Sequence, residues 1–443
     1  MQEPSKSLIE IVARDDKEAR ERVLRRIASR NVALDADVLE RTSKIIEDVR
    51  RRGDAALVDY AAQFDHVELD RAELRVDEET LRRTAALVDA SVLAALRESI
   101  ARVHAFHDFE RQNSWEVETE RGVRLGQRIT PVERAGLYVP GGTASYPSSV
   151  VMNVVPAQVA GVKRIVVTTP PRSLHENPAV SAALVELGVT EVYAVGGAQA
   201  IAALAFGTET VPRVDIITGP GNKYVAAAKK LVFGAVGIDS VAGPTEVVIV
   251  ADETARADFI AADLLAQAEH GEDASAVLLT TSDQLAHETA SELARQARDL
   301  PRRLIVERSL AQYGAIIVVE NMKVACETVN AMAPEHLEIM AREEEEIVNA
   351  VHNAGAIFCG AHAPEAVGDY IAGPNHVLPT GGAARFSSAL SVQNFLKRTS
   401  VIRYTSVELE RTAPLIAALA GAEGLDAHAR SAMIRLQRSK HDA

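Results

Sequence analysis

The pattern of apolar and polar positions divides the chain into a helical beginning, a long alternating centre and a helical end. From residue 1 to about 112, apolar residues recur at helical spacing among many Arg and Glu residues. Residues 115–133 instead show short alternating stretches, which predict a hairpin or connecting strands. Beyond about Phe386 the helical spacing returns, and the chain finishes in a basic, polar tail.

The centre repeats a unit of apolar strand, Gly- or Pro-rich turn and Ala- or Val-rich helix. The predicted strands form a first set at 136–139, 164–168, 191–195 and 214–217, and a second set at 246–251, 275–279, 315–319, 337–340 and 355–358. Such alternation favours right-handed crossovers and mainly parallel sheets. The predicted fold class is therefore α/β, with two Rossmann-like parallel-sheet lobes, smaller helical N- and C-terminal segments, and an active cleft at the carboxyl ends of strands.

The pattern changes near Pro131, which predicts a domain boundary there. Two lobes suit the length of 443 residues, which exceeds what one hydrophobic core usually serves.

Charge and composition narrow the partners and the compartment. The net charge of −14 disfavours nucleic acid and anionic membranes as partners. The first residues lack the apolar core of a signal peptide, and no apolar run reaches the roughly 18 residues of a membrane span, so we expect a cytoplasmic protein. Cys326 and Cys359 are expected to be reduced core thiols.

Three glycine turns in the first set each follow a predicted strand and lead into a predicted helix. They are Tyr138-Val-Pro-Gly-Gly142, Val195-Gly-Gly-Ala-Gln199 and Thr218-Gly-Pro-Gly-Asn222. Backbone amides at such helix starts can face a phosphate, which suits a dinucleotide. None of them spells the G-x-G-x-x-G motif, and similar turns often only reverse the chain, so both interpretations stay open.

Gln267 and His270 lie three residues apart at the end of a helix predicted over 255–270, and so share one face of its last turn. The negative end of that helix would favour a cation there. The alternative is that His270 only caps the helix and Gln267 is solvated, and spacing alone favours this alternative.

Further polar residues stand beside the second set of strands. Glu335 and His336 follow Pro334, which is expected to hold Ala333 extended, and an acid next to an imidazole suits a two-stage proton transfer. Asp369 and His376 fall in a predicted glycine-rich loop, where they could bind zinc or merely form turns.

The order of these segments is far more specific than any one of them, and it resembles the histidinol dehydrogenase family. The likeness runs from about residue 35 to about 435. It rests on Gly-Pro-Gly-Asn222, Ala242-Gly-Pro-Thr-Glu246, Gln267-Ala-Glu-His-Gly271, Ala333-Pro-Glu-His-Leu337, Gly368-Asp-Tyr, Asn375-His-Val-Leu-Pro-Thr380 and Glu423-Gly-Leu-Asp-Ala-His428.

The resemblance implies a division of the chain into four parts. They are an N-terminal helical segment at 1–32, a larger α/β lobe made of 33–133 and 244–385, a second α/β lobe at 134–243, and a C-terminal helical segment at 386–443.

The resemblance implies a zinc site shared between two subunits. Its ligands would be Gln267, His270, Asp369 and His428. His428 and Glu423 would come from the neighbouring subunit, which implies an obligate homodimer whose C-terminal segment completes the partner's site. Zinc would hold the amino and imidazole nitrogens of histidinol.

The resemblance also implies a four-electron oxidation of L-histidinol to L-histidine through L-histidinal, the last steps of histidine biosynthesis. His336 would take the alcohol proton while NAD takes hydride, and Glu335 would then activate water for the second oxidation. The implied substrate contacts are Thr245, Gln267, His270, His336, Asp369, His376, Glu423 and His428, and the implied NAD contacts in the lobe 134–243 are Tyr138, Gln199 and Asn222.

Two departures from the family pattern bear on substrate fit. Thr245 stands where the family often has Ser, and its extra methyl narrows the pocket; Ala389 stands where Gly is frequent, which matters only if that backbone needs positive φ. Two other functions stay open: a relative that oxidises another small polar alcohol, such as a sulfonated diol, and a zinc- and nucleotide-binding protein without catalysis. Glu423 and His428 argue against the first, and Glu335 with His336 against the second.

Overall fold

The chain forms two compact units. The computed structural model describes residues 8–32, 35–141 and 146–436. The larger unit comprises Met1–Glu110 with Val132–Phe395, and the smaller unit comprises Arg111–Pro131 with Leu396–Ala443. Gly142 of the first glycine turn and residues 437–443 of the predicted basic tail lie outside the described residues.

The strands of the described residues run from β1 to β15 in chain order. They are β1 (Glu10–Val12), β2 (Arg75–Val76), β3 (Trp115–Glu118), β4 (Arg124–Pro131), β5 (Arg134–Tyr138), β6 (Arg164–Thr169), β7 (Glu191–Ala194), β8 (Ile216–Thr218), β9 (Gly237–Ile238), β10 (Glu246–Ala251), β11 (Ser275–Thr280), β12 (Gly314–Val318), β13 (His336–Met340), β14 (Ala356–Cys359) and β15 (Leu396–Arg403).

The α-helices of the same residues run from α1 to α18. They are α1 (Lys17–Ala28), α2 (Ala36–Arg52), α3 (Asp54–Tyr60), α4 (Glu78–Ala85), α5 (Ala90–Asp108), α6 (Pro147–Ala160), α7 (Pro171–Glu176), α8 (Pro178–Glu186), α9 (Gly197–Phe206), α10 (Lys223–Val232), α11 (Ala257–Ala268), α12 (Asp283–Gln296), α13 (Arg303–Tyr313), α14 (Met322–Met332), α15 (Glu344–Ala350), α16 (Glu365–Tyr370), α17 (Ser406–Ala422) and α18 (Asp426–Met433).

Two sheets organise the larger unit. The first sheet has the order β2-β7-β6-β5-β8-β9 and is parallel except for the antiparallel pair of β2 with β7. The second sheet has the order β1-β12-β11-β10-β13-β14 and is parallel throughout. Every strand predicted in the centre is present, with ends within two residues of the prediction. The α/β fold class is confirmed.

The two sheets are covered by different helices from those we expected. Ile46 of α2 and Leu57 of α3 lie in one core cluster with Ile201 of α9, beside the first sheet. The prediction instead grouped residues 33–133 with the later lobe. Val23 of α1 packs against the second sheet, to which β1 also belongs, so residues 8–32 are part of that layer. An amphipathic pattern shows which helix face is buried, but not which sheet covers it.

The smaller unit carries a separate antiparallel sheet of order β15-β4-β3. The predicted hairpin at 115–133 is confirmed as β3 and β4. The strand β15 was missed, because its polar residues were included in a helical end. Helices α17 and α18 pack on each other after this strand.

The cysteine prediction is correct for one residue and wrong for the other. Cys326 is a buried free thiol, whereas Cys359 is exposed. Cys359 ends β14, an edge strand whose residues alternate between half-buried and exposed, so its side chain is on the open face. Among the described helices, none is both long and apolar enough to traverse a bilayer.

Candidate active site

The residues predicted to act in catalysis lie at the amino edge of the second sheet. Thr245 immediately precedes β10, and Glu335 immediately precedes β13. Val247 pairs with His336 in parallel register, so the residues at the start of both strands are neighbours. We expected the active cleft at the carboxyl ends of the strands, and this expectation is wrong for the second sheet. It followed the general rule for α/β sheets, although Thr245 and Glu335 come before their strands in the chain.

His336 presents an unpaired nitrogen in a buried position. Its Nδ1 lies 3.2 Å from the carbonyl oxygen of Glu246. A carbonyl only accepts hydrogen bonds, so Nδ1 carries the proton and Nε2 carries the lone pair. Nε2 is buried without a partner among the described residues. Burial lowers the pKa of His336, so the imidazole is neutral and its lone pair can take a proton.

Glu335 is held by two donors next to this imidazole. The hydroxyl of Thr245 donates to its Oε2 at 2.5 Å, and the backbone N–H of Glu246 donates to the same oxygen at 3.1 Å. The extra methyl of Thr245 thus leaves the hydroxyl contact intact. Burial raises the pKa of Glu335 to about 7, although these two hydrogen bonds oppose the rise. A carboxyl with this pKa can accept and return a proton near neutral pH.

The backbone leading into Glu335 differs from the prediction. Ala333 adopts φ 50° and ψ 62°, a left-handed conformation, rather than the extended one expected before Pro334. Ala333 caps α14, and its N–H donates to the carbonyl of Val329 at 2.7 Å, so ending the helix overrides the preference imposed by proline. A left-handed alanine is strained, and such strain is common beside reacting groups. Ala389 does not have a positive φ, so its departure from glycine carries no backbone strain.

Three side chains form a group able to hold a metal ion. One ligand atom from each of His270, Glu365 and Asp369 lies within 4.8 Å of the other two. His270 places its Nδ1 3.1 Å from the carbonyl of Ala266, which leaves Nε2 free to bind a metal. One imidazole nitrogen with carboxylate oxygens is a donor set that zinc accepts.

Gln267 adjoins this group from the last turn of α11. It is fully buried, so the solvated alternative is wrong. Its Nε2 donates to the hydroxyl oxygen of Thr245 at 2.8 Å. Its amide oxygen therefore lies beside the two oxygens of Glu365, at 2.7 and 2.9 Å, the side from which it could bind a metal ion. The structure thus brings together three of the four residues predicted as ligands, Gln267, His270 and Asp369.

Glu365 was not predicted as part of the site. It begins α16, and Asp369 follows four residues later on the same face, whereas the prediction placed Gly368-Asp369-Tyr370 in a loop. Pro364 directly before an acidic residue is a helix-start signal that would have revealed the pair. Burial, and then the nearby Asp369, hold the pKa of Glu365 well above its usual range.

Further buried acids surround the metal-binding group formed by His270, Glu365 and Asp369. Burial raises the pKa of both Asp263 and Glu338, which share a hydrogen bond, and Glu338 accepts a bond from the N–H of Glu365 at 2.8 Å. His376 places Nδ1 3.1 Å from the carbonyl of Asp369, and burial lowers its pKa. A dense set of carboxyls with neutral imidazoles suits a divalent cation.

The residues predicted to contact a dinucleotide lie at the carboxyl edge of the first sheet. Tyr138 ends β5, and its hydroxyl accepts from the N–H of Gly197 at 3.1 Å. Burial raises the pKa of Tyr138 to about 12, so the hydroxyl keeps its proton. Gln199 is buried in the first turn of α9, which has no side-chain cap. Asn222 caps α10 with its side-chain oxygen, and its exposed amide nitrogen can donate to a ligand.

Gly219 allows the turn before Asn222 to pass close to the first sheet. It has φ +116°, and a Cβ there would collide with the carbonyl oxygen of Tyr138. Gly219→Ala should therefore lower the free energy of unfolding by about 3 kcal/mol or more, as denaturant titration would measure. The matched control is Gly188→Ala, with φ +68° but open space around it, which should cost about 1 kcal/mol. Equal losses would contradict the steric argument.

A cavity of about 110 Å³ connects the carboxyl edge of the first sheet with the amino edge of the second sheet. Gly219 and Gly221 line it from the first sheet, and Thr245, Glu335 and His376 line it from the site at the second sheet. The predicted dinucleotide turn and the predicted catalytic carboxyl therefore face one space. This arrangement suits a reaction between a bound cofactor and a small substrate.

Two predicted site residues belong to the smaller unit. Glu423 caps the end of α17, and His428 lies in the first turn of α18. Both side chains are exposed. Their assignment to a neighbouring subunit's site stays a prediction.

Comparison with known proteins places this arrangement in a family. The sequence profile of histidinol dehydrogenase matches residues 28–436. The histidinol dehydrogenase of Geobacillus kaustophilus is 55% identical over 397 residues, which cover 89% of this chain and 93% of that protein. The histidinol dehydrogenase of Synechococcus sp. is 52% identical over 395 residues, which cover 89% of this chain and 91% of that protein.

A solved structure agrees with the sequence match. The crystal structure of histidinol dehydrogenase from Elizabethkingia anophelis superposes with a TM-score of 0.91 at 34% identity and covers 98% of this chain and 99% of that one. Sequence and fold thus agree over nearly the whole chain. The protein belongs to the histidinol dehydrogenase family, a family of oxidoreductases.

Proposed function

We propose that the protein oxidises L-histidinol to L-histidine through L-histidinal, with Zn²⁺ and NAD, in the last steps of histidine biosynthesis. The observation that carries the proposal is the buried Nε2 of His336, which has no hydrogen-bond partner among the described residues. This imidazole adjoins the metal-binding group, since its Nδ1 lies 3.7 Å from Oε1 of Glu365. Membership of the family supports the choice of substrate.

The alcohol step needs a proton acceptor. Nε2 of His336 takes the hydroxyl proton, and the bond from Nδ1 to Glu246 keeps the ring in the required tautomer. When bound, zinc holds the amino and imidazole nitrogens of the substrate and NAD accepts hydride. The pocket residues proposed to orient the substrate are Thr245, His376, and Glu423 of the partner subunit.

The aldehyde step needs activated water. Glu335 has a pKa of about 7 and borders the cavity, so its carboxylate can take a proton from water and form the hydrated aldehyde. Thr245 fixes one of its oxygens, which leaves the other to face water. The aldehyde is thereby converted to a species that can lose a second hydride.

The residues proposed to hold the two cofactors fit their chemistry. Gln267, His270 and Asp369 would hold zinc together with His428 of the partner subunit, and these donors are nitrogen and oxygen ligands that zinc accepts. Tyr138, Gln199 and Asn222 would contact NAD, and they stand at turns followed by helix starts, which favour phosphate.

A homodimer is part of the proposal. The smaller unit exposes many large apolar side chains for its size, and exposed apolar side chains that lie together often mark a contact with another protein. They include Trp115, Val117, Ile402, Val407, Leu415 and Leu419. These exposed side chains support an assembly in which Glu423 and His428 reach the site of a second copy.

The test is an assay on zinc-loaded protein whose mass has been measured by sedimentation. With L-histidinol and NAD, a dimer should produce two NADH for each L-histidine. Absence of NADH from a folded, zinc-loaded dimer would overturn the proposal. A panel of other alcohols, including a sulfonated diol, tests whether histidinol is preferred.

Replacing Glu335 with glutamine should separate the two oxidations. Glutamine keeps the shape but cannot accept a proton, so we expect aldehyde oxidation to slow by about 10²–10⁴-fold and alcohol oxidation to slow far less. Stopped-flow measurement with L-histidinol and with L-histidinal as substrates checks this. In the unsubstituted protein the aldehyde step should quicken as pH rises through about 7, where Glu335 ionises. Equal loss of both steps would refute the role assigned to Glu335.

A further inference from the structure

Glu246 is bonded to both proposed catalytic residues through its backbone. Its N–H donates to Oε2 of Glu335 at 3.1 Å, and its carbonyl accepts from Nδ1 of His336 at 3.2 Å. One peptide segment thus fixes the position of the carboxylate and the tautomer of the imidazole. A small rotation of this segment would change both groups together.

The side chain of Glu246 is fixed at both of its oxygens. Arg30 donates from Nη2 to Oε2 at 2.6 Å, and the N–H of Gly381 donates to Oε1 at 3.0 Å. The two charged side chains are almost completely buried, with exposed fractions of 1% for Arg30 and 5% for Glu246. Neither oxygen of Glu246 is therefore left to react.

Arg30 also binds the backbone carbonyl that precedes Glu246, together with two others. Its Nη1 donates to the carbonyl of Thr245 at 3.2 Å and to the carbonyl of Asp273 at 2.6 Å, while Nε donates to the carbonyl of Ile27 at 3.1 Å. The guanidinium therefore links the N-terminal segment to the starts of β10 and β11. A lysine ammonium lacks the planar fork that reaches these acceptors together.

We infer that Arg30 and Glu246 are positioning residues, whose buried ion pair orients the two catalytic side chains through the Thr245–Glu246 backbone. The inference rests on the proposed function, because it concerns the reaction assigned to Glu335 and His336. Groups that support reacting residues in this way typically change activity by about 10- to 100-fold when they are altered. Misplacement by about 1 Å can have an effect of the same size.

A purely structural ion pair makes a different prediction. It would lower the unfolding temperature without changing the turnover of the molecules that remain folded. A positioning role lowers kcat while the KM for NAD stays nearly constant, because the residues proposed to contact NAD stand on the first sheet. The division between kcat and KM therefore distinguishes the two roles.

The test uses Arg30→Lys and Glu246→Gln in the full-length, zinc-loaded protein. Each should reduce kcat by about 10- to 100-fold, with the KM for NAD changed by less than about threefold and with zinc content unchanged. Glu246→Gln keeps the shape of the side chain and its hydrogen bond from the N–H of Gly381. This variant therefore tests the inference by itself if Arg30→Lys fails to fold. The matched control is Arg20→Lys, because Arg20 makes a half-buried ion pair with Glu320 through the same type of nitrogen.

Each result of this experiment either supports or overturns the positioning role of Arg30 and Glu246. Unchanged kcat with a lower unfolding temperature would show a structural ion pair and overturn the inference. Loss of zinc in proportion to the loss of activity would also overturn it, because the pair would then act on the metal site. If the unsubstituted protein itself fails to oxidise L-histidinol, it is the proposed function that fails, and this result is read from the same assay.

Discussion

Replacing His336 with asparagine should lower kcat for L-histidinol oxidation by about 10²–10⁴-fold. Asparagine can still donate to the carbonyl of Glu246, but it has no basic lone pair where Nε2 stands. The loss should appear in the first hydride transfer, measured by the burst of NADH in a single turnover. Zinc content should stay the same, because His336 is not in the metal-binding group.

The buried position makes a folding control necessary. His336 is 3% exposed, and a smaller side chain leaves a void that lowers the unfolding temperature by a few degrees. Circular dichroism establishes the folded fraction, and kcat is expressed for that fraction alone. Turnover within about threefold of the unsubstituted protein would remove His336 from the mechanism.

Replacing His270 with asparagine should empty the metal site. We expect zinc affinity to fall by about 100-fold or more, since groups that only support a ligand already contribute 10- to 100-fold. Activity at limiting free zinc should fall with it. Competition against a chelator dye measures the affinity, and added zinc should partly restore turnover.

The matched control is His287→Asn. His287 is exposed, and its Nδ1 lies 2.8 Å from the carbonyl of Asp283, a contact of the same type as that of His270 with Ala266. It lies in α12 and is not a member of the metal-binding group. Zinc affinity should therefore be unchanged in this variant. If His270→Asn also kept its zinc, the ligand assignment would fail.

The sequence predicts the central fold well because buried parallel strands are nearly continuous apolar runs. The strand predicted at 246–251 has the same bounds in the structure, and all six of its residues are buried. The strand β1 was missed because three residues give too short a run to separate from helical spacing. The strand β15 was missed because charged residues such as Lys397 and Arg398 occupy it.

The sequence predicts which residues form the site better than it predicts how they are arranged in space. The order of motifs pointed to Gln267, His270 and Asp369, which the structure places beside one another. Glu365 was missed because its segment was interpreted as a loop, although Pro364 before an acidic residue signals the start of a helix. Spacing along the chain could not show the bonds of Arg30, which reach residues more than 200 positions later in the chain.

The placement of reacting groups at the amino edge of the second sheet has a consequence for protein engineering. Residues at the entrances of the strands of an α/β protein would ordinarily be suitable positions for thermostabilising changes, because ligands are expected at the opposite edge. Here Thr245, Glu246 and Glu335 occupy such positions. A stability library for this protein should therefore leave those strand entrances fixed and draw its substitutions from the exposed faces of the covering helices.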